Sequence, residues 1–261
     1  NPHLADALDA GGRAITVLDG TVVVMRRGLD PIPVADLADI PLTLAGASRA
    51  NVANALAATA AALGAGASIR AVRAGLSSFT PDAEHNSGRL NLYGVGAVTV
   101  LLDMAHNEAS LASLLQVADA LRAPGGVLAA VVSTPGDRSD EAVHAMGAVA
   151  GARADRMVVA GKRHYLRGRE PGELEALWRA GAAEAGVTAV PTAGDEVAAL
   201  GSLLEPALPD GSVVAVCALE QRAELAALIR ARGGHELSPA EVAVRVAAAR
   251  GAPGVVAPGP R

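Results

Sequence analysis

One cysteine, one lysine, one tryptophan, one phenylalanine and two tyrosines are spread over 261 residues. With Cys217 alone, no disulfide forms within the chain, and a cysteine-based metal centre is argued against. Cys217 sits in the apolar run Val213–Ala218, which reads as a small buried strand residue in a cytoplasmic protein. No apolar run reaches the roughly 18–20 residues of a membrane span, because Gly, Pro, Asp or Arg interrupts each one. A formal net charge of −5 leaves no basic footprint, and no basic stripe is interleaved with aromatics, so neither nucleic acid nor a membrane is expected as partner. No G-x-x-x-x-G-K-[ST] phosphate loop occurs, and no G-x-G-x-x-G follows a strand and opens a helix, which sets a nicotinamide-dependent oxidoreductase aside. The opening residues, Asn1-Pro2-His3-Leu4-Ala5-Asp6, show no starting Met and no basic-then-apolar leader, and read as part of something longer.

Abundance lies elsewhere: 51% of residues are hydrophobic, 29 are Gly and only 19% are charged, which suits one or two packed domains. Residues 14–18, Asp19-Gly20 and residues 21–25 predict a hairpin closed by a primed turn. Ser48 and Ser68 predict caps for two helices, one over 49–63 and one running from Ser68 to about 77, the first with Ala53, Leu56, Ala57, Ala60 and Leu63 as a face for close packing. Turn formers over 80–88 mark a candidate domain linker. Beyond it, strands 90–95 and 98–103 lead into alternation: helix 108–121, strand 127–133, helix 139–151, strand 156–160, helix 172–185, strand 187–190, helix 195–206, strand 212–217 and helix 219–231. The fold class is therefore α/β, with a doubly wound, mostly parallel sheet. The tail holds one helix over 239–250 and a Gly/Pro-rich end expected to be mobile.

Ligands of an open parallel sheet meet the loops at the carboxyl ends of its strands. Three polar clusters fall there. Asp103-Met104-Ala105-His106-Asn107-Glu108 offers a carboxylate for ribose hydroxyls and a helix start for an anion, or simply a helix cap. Ser133 to Asp140 offers Asp137 as a cap and Arg138 as a fork for a carboxylate or phosphate, or a surface ion pair. His164 to Glu173 sets Arg167 and Arg169 around Gly168, an anion holder or a solvated loop. Lys162 is of interest because phosphoryl-transfer enzymes often need a lysine at the phosphates. Before the linker, Asn51 and Asn54 stand three apart on one helix, where side-chain amides suit an adenine edge.

The order of these pieces carries a resemblance. Asn51…Asn54-Ala-Leu-Ala-Ala, Ser78-Phe79-Thr80-Pro81-Asp82, Asn86-Ser87-Gly88-Arg89, Asp103-Met104-Ala105-His106-Asn107 and Gly136-Asp137-Arg138 together look like the second half of a Mur ligase. Arg167-Gly168-Arg169 and Gly172-Glu173 point to the cyanophycin synthetase branch of that family. The resemblance implies that residues 1–87 finish a central ATP-binding domain and 88–235 form a C-terminal Rossmann-like domain, with 236–261 as a helical and flexible tail. It implies an ATP-dependent ligase that phosphorylates a carboxylate and passes the acyl group to an amino acid or amine, with Mg2+ ligands mainly upstream. Asn51 and Asn54 would then lie at the adenine, Arg89 at the ribose or phosphates, and Asp103 at the ribose hydroxyls. His106 and Asn107 would face the amino substrate, with Arg138 near its carboxylate. A non-catalytic nucleotide-binding protein derived from the same fold is the alternative, and the oligomeric state stays open.

Overall fold

The computed structural model describes residues 2–162 and 164–251. The Gly/Pro-rich end expected to be mobile lies outside the described residues. The chain divides into two compact units, Asn1–Pro81 and Asp82–Arg261.

The first unit begins with helix α1 (Pro2–Asp9) and an antiparallel sheet of β1 (Arg13–Leu18), β2 (Thr21–Arg26) and β3 (Leu29–Asp36), in the order β1-β2-β3. Leu18 pairs with Thr21 across Asp19 and Gly20, whose φ values of 48° and 80° are those a primed two-residue turn demands. Two helices follow, α2 (Arg49–Gly64) and α3 (Ile69–Ser78), capped by Ser48 and Ser68 as their positions predicted. The buried face of α2 differs from the expectation. Ala55 and Thr59 are buried, while Ala53, Ala57 and Ala60 are exposed. A helix this rich in Ala has almost no polar contrast around its circumference, so its sequence does not mark which side faces in. The unit's core is Val22, Val24, Val34, Ile40, Ala55 and Val72.

The second unit is the alternating α/β part. Its elements are β4 (Asn91–Val95), β5 (Val98–Asp103), α4 (Glu108–Leu121), β6 (Leu128–Val132), α5 (Asp140–Arg153), β7 (Arg156–Ala160), α6 (Glu173–Glu184), β8 (Thr192–Ala193), α7 (Glu196–Leu203), β9 (Val213–Cys217), α8 (Arg222–Ala231), β10 (His235–Glu236) and α9 (Pro239–Ala249). They build a seven-stranded sheet in the order β10-β4-β5-β9-β6-β7-β8. The β5, β9, β6, β7 and β8 pairings are parallel; β10 and β4 run antiparallel at one edge. Buried on both faces, β6 (Leu-Ala-Ala-Val-Val) and β9 (Val-Val-Ala-Val-Cys) are apolar throughout, as central parallel strands must be.

Three differences from the expected elements have local causes. The edge strand β8 forms at Thr192–Ala193 rather than over 187–190, because Val187 N–H is spent on Ala182 at the end of α6 and pairing with β7 starts only where Val159 N–H meets Pro191. The segment expected as linker is largely fastened to the second unit: Asn86 N–H donates to Asp82, Asn91 Nδ2 to Asn86 and Ala83 N–H to Glu236. The division of the chain accordingly falls after Pro81. Helix α9 packs against α4, so that part of the tail belongs to the second unit.

Helices α5 and α6 touch backbone to backbone through glycines. A Cβ on Gly181 would sit 1.9 Å from the His144 carbonyl oxygen, and one on Gly147 would sit 2.4 Å from that of Trp178. Neither oxygen can swing away, since each belongs to a helix. Gly201 of α7 is the contrast, with nothing nearer to an added Cβ than Arg232 Nη2 at 3.9 Å. Gly181→Ala should therefore destabilise the second unit by about 1–3 kcal/mol or more. Gly201→Ala should leave it unchanged or add up to about 1 kcal/mol through helix propensity. Urea titration of both variants checks the pair, and equal effects would contradict the close approach.

Candidate functional site

The site is built at the carboxyl ends of β5, β9, β6 and β7. Asp103 is the last residue of β5, and the chain entering β4 crosses it. Leu90 N–H donates to Asp103 Oδ2 at 3.0 Å, and Met104 N–H to Gly88 O at 2.8 Å. The crossing needs glycine at 88: φ is +73°, and a Cβ there would lie 2.9 Å from Met104 Cγ. On the other side Ala218 N–H, just past β9, donates to the Asp103 carbonyl at 2.7 Å. Burial pushes the Asp103 carboxyl above its usual range, opposed by the Leu90 N–H and the positive charge of Arg89. Arg89 itself is exposed. The N–H groups of Leu90 and Ala105 take part of the acceptor capacity of this carboxylate, about four lone-pair sites, and leave the rest for hydroxyl donors.

The loop from Asp103 runs into α4. Asn107 caps this helix: its Oδ1 accepts Ser110 N–H at 2.9 Å, and Ser110 Oγ in return accepts the N–H of Asn107. The cap reading of Asn107 thus holds, leaving its amide nitrogen for other contacts. His106 is fixed by a 2.7 Å contact from Nδ1 to Met104 O. A carbonyl only accepts, so Nδ1 carries the proton and Nε2 of the neutral ring is a proton acceptor. The loop after β6 joins this one where Arg138 Nε donates to His106 O at 3.2 Å.

The third cluster divides its two arginines. Arg169 donates to Gly136 O and Arg138 O and pairs with Asp140 and Glu173. With its fork so occupied it braces the loop that carries Arg138, instead of holding an anion. Arg167, exposed with φ +52°, stacks over the Tyr165 ring at 5.2 Å. Lys162 is no surface cation. Its side chain is 2% exposed, and Nζ lies 2.6 Å from Glu196 Oε1. Glu196 was not singled out from the sequence, where it reads as an ordinary acidic residue in the first turn of a helix. Its local signal was thin: an acid just after a strand, in a chain whose sole lysine also follows a strand. Cys217, at the end of β9, is buried as expected, and burial pushes its thiol up to about 12.

The remaining candidates lie in the first unit. Asn51 Nδ2 donates to Leu42 O at 3.0 Å, and Asn54 Nδ2 to Asn51 Oδ1 at 3.2 Å, so the two amides form a ladder on α2 with Asn54 exposed. The second unit gathers Arg89, Asp103, His106, Asn107 and Arg138 around the ends of β5 and β6. Among the described residues no group of three or more His, Cys, Asp or Glu could hold a metal ion, and no helix is long and apolar enough to cross a membrane.

The family model described as Mur ligase, glutamate ligase domain, matches residues 88–219. The chain belongs to the Mur ligase family. A cyanophycin synthetase from Synechocystis sp. is 33% identical over 177 residues, 68% of this chain and 20% of that protein. The UDP-N-acetylmuramoyl-L-alanyl-D-glutamate--2,6-diaminopimelate ligase of Corynebacterium efficiens is 32% identical over 221 residues, 81% of this chain and 40% of that protein. Among solved structures, folylpolyglutamate synthase of Mycobacterium tuberculosis, complexed with ADP and AMPPCP, superposes with a TM-score of 0.52 at 25% identity, covering 86% of this chain and 48% of that one. This Mur ligase chain spans one fifth of the length of the cyanophycin synthetases it matches first. The matched region contains Arg89, Asp103, His106, Asn107 and Arg138; Asn51 and Asn54 precede it.

The buried Asp103 gives a test on the Mur ligase chain itself. Its carboxyl is raised in the folded state, so the folded chain holds that proton more tightly than the unfolded one. Stability from this group is greatest below the ordinary carboxylate range and falls as pH rises through the raised value. Asp103→Asn keeps an acceptor for Leu90 N–H and cannot ionise. Melting temperatures between about pH 4 and 7 should show the variant gaining on wild type as pH rises. A constant difference would mean that the carboxyl is not desolvated in the folded chain.

Proposed function

We propose that the full-length protein containing this chain is an ATP-dependent amide ligase of cyanophycin synthetase type. It would join an amino acid or amine to a carboxylate through an acyl phosphate. The observation that carries the reading is the Arg138–His106 hydrogen bond beside Asp103, which brings two strand-end loops together with a carboxylate, a guanidinium and an imidazole.

The residues fit one part of the nucleotide well. Within the second unit, Asp103 would offer acceptors to a pair of vicinal hydroxyls and Arg89 a cation to ribose or phosphate oxygens; within the first, Asn54 would offer an amide edge to adenine beside Asn51, whose amide is engaged by Leu42 and Asn54. Among the described residues no group of three or more His, Cys, Asp or Glu could by itself hold a metal ion. Nor is there a phosphate loop. Binding of the triphosphate and its metal is therefore assigned to parts of the protein outside this chain, and no step is derived through the metal.

In the reaction a carboxylate oxygen attacks the terminal phosphorus, ADP departs, and the amine nitrogen then attacks the acyl carbon with loss of phosphate and a proton. Positioning and charge stabilisation dominate such chemistry. Arg138 would orient the amine substrate by its carboxylate, and the Asn107 amide nitrogen would add a donor there. His106 Nε2, oriented by the Nδ1 contact, would accept the proton that the amine gives up. Two observations about relatives support the reading: cyanophycin synthetases match this chain at 32–38% identity, and a structural neighbour was solved with ADP.

The test is turnover. The full-length protein, given ATP and panels of amino acids and carboxylate-bearing peptides, should release ADP and phosphate in step with amide. The isolated 261-residue chain should release none. Asp103→Ala in the full-length enzyme should weaken nucleotide binding by on the order of 1.5–3 kcal/mol, read by titration. Turnover by the isolated chain, or unchanged affinity in the variant, would overturn the assignment.

A further inference from the structure

Glu196, the first residue of α7, is 1% exposed and belongs to no part of the reaction described above. Its Oε1 accepts from Lys162 Nζ at 2.6 Å and lies 3.3 Å from Ser133 Oγ, whose one proton is shared with the Cys217 carbonyl at 3.1 Å. The Glu196 oxygens also accept the consecutive backbone N–H groups of Leu219, Glu220 and Gln221, each at 3.1 Å at its nearer oxygen. Ser133, Lys162 and Leu219 follow β6, β7 and β9, three neighbouring strands of the sheet. One buried carboxylate at a helix start therefore ties three strand-end loops into a single body, with the helix dipole favouring its charge.

The tie reaches the site. Glu220, held by the Glu196 bonds, accepts Tyr165 N–H at 3.2 Å and stands 3.8 Å from Lys162 Nζ. Tyr165 O accepts Gly136 N–H at 2.8 Å, two residues before Arg138. Arg138 then bonds to His106 O. The Asp103 carboxylate is held separately, by the N–H groups of Leu90 and Ala105; only its carbonyl, bonded by Ala218 N–H, meets the turn that Glu196 holds.

We propose that Glu196 is a positioning residue for the ligation step: through Lys162 and Glu220 it sets the loop that presents Arg138 to the amine substrate, and leaves the Asp103 side to its own supports. The proposal rests on the ligase reading. A purely structural role is met as well by apolar residues, which often replace a buried ion pair without loss of stability. What they cannot supply is an acceptor that fixes three successive N–H groups of one turn.

The test uses the full-length enzyme and the amino acid that the wild type turns over fastest. Glu196→Gln should raise KM for that amino acid by roughly tenfold or more, as a misplaced positioning group does. KM for ATP should stay within about twofold, the signature of a loss confined to one substrate. If the variant fails to fold, K162M/E196L removes both charges and keeps the interior apolar, and the same split is expected. A proportional loss for both substrates, an unchanged amino acid KM in either folded variant, or failure of both variants to fold would each overturn the positioning role. A wild type that releases no ADP removes the ligase reading itself, and the proposal with it. Wild-type turnover with no split in the variants removes the proposal alone.

Discussion

The structure depends on how a parallel sheet finishes its strands. Each strand leaves the ladder at its carboxyl end with backbone N–H groups still to be satisfied, and a buried one left alone costs about 1–3 kcal/mol. Here side-chain carboxylates do the finishing. Glu196 takes the loop after β9, together with Ser133 after β6 and Lys162 after β7, and Asp103 takes the chain crossing into β4. Removing one partner of a buried pair typically costs roughly 3–5 kcal/mol, so Glu196 and Lys162 are each needed by the other. What holds the fold at this edge also holds the loops on which His106, Asn107 and Arg138 ride.

Scarcity of large side chains shapes the remainder. With so many Gly and Ala residues, helices approach closely, as α5 and α6 do through Gly147 and Gly181. Such contacts are short-ranged and unforgiving. Among the described residues, the candidate side chains of the second unit lie at the carboxyl edge of its sheet, while Asn51 and Asn54 belong to the first unit.

Much of this was legible before the structure. Apolar runs with the right spacing located β5, β6, β7 and β9, and the turn chemistry of Asp19-Gly20 specified the first hairpin. The five ordered motifs named the family. Hidden were features decided by long-range pairing. The inward side of α2 was invisible because Ala is apolar on every side. The two-residue β8 was misplaced because Val187, though apolar, ends a helix turn. The share of Arg169 in bracing rather than binding, and the burial of Glu196, depend on partners about 25–60 residues away, which no local pattern encodes.

The central claim is that the carboxyl edge of this sheet carries the nucleotide and amine contacts of an amide ligase. A crystal structure of the full-length protein with a non-hydrolysable ATP analogue and the amino substrate tests it most directly. The account predicts ribose hydroxyls within hydrogen-bond reach of Asp103, and the substrate carboxylate within reach of Arg138. A nucleotide bound without contact to Asp103, with the amino substrate away from Arg138, would contradict it.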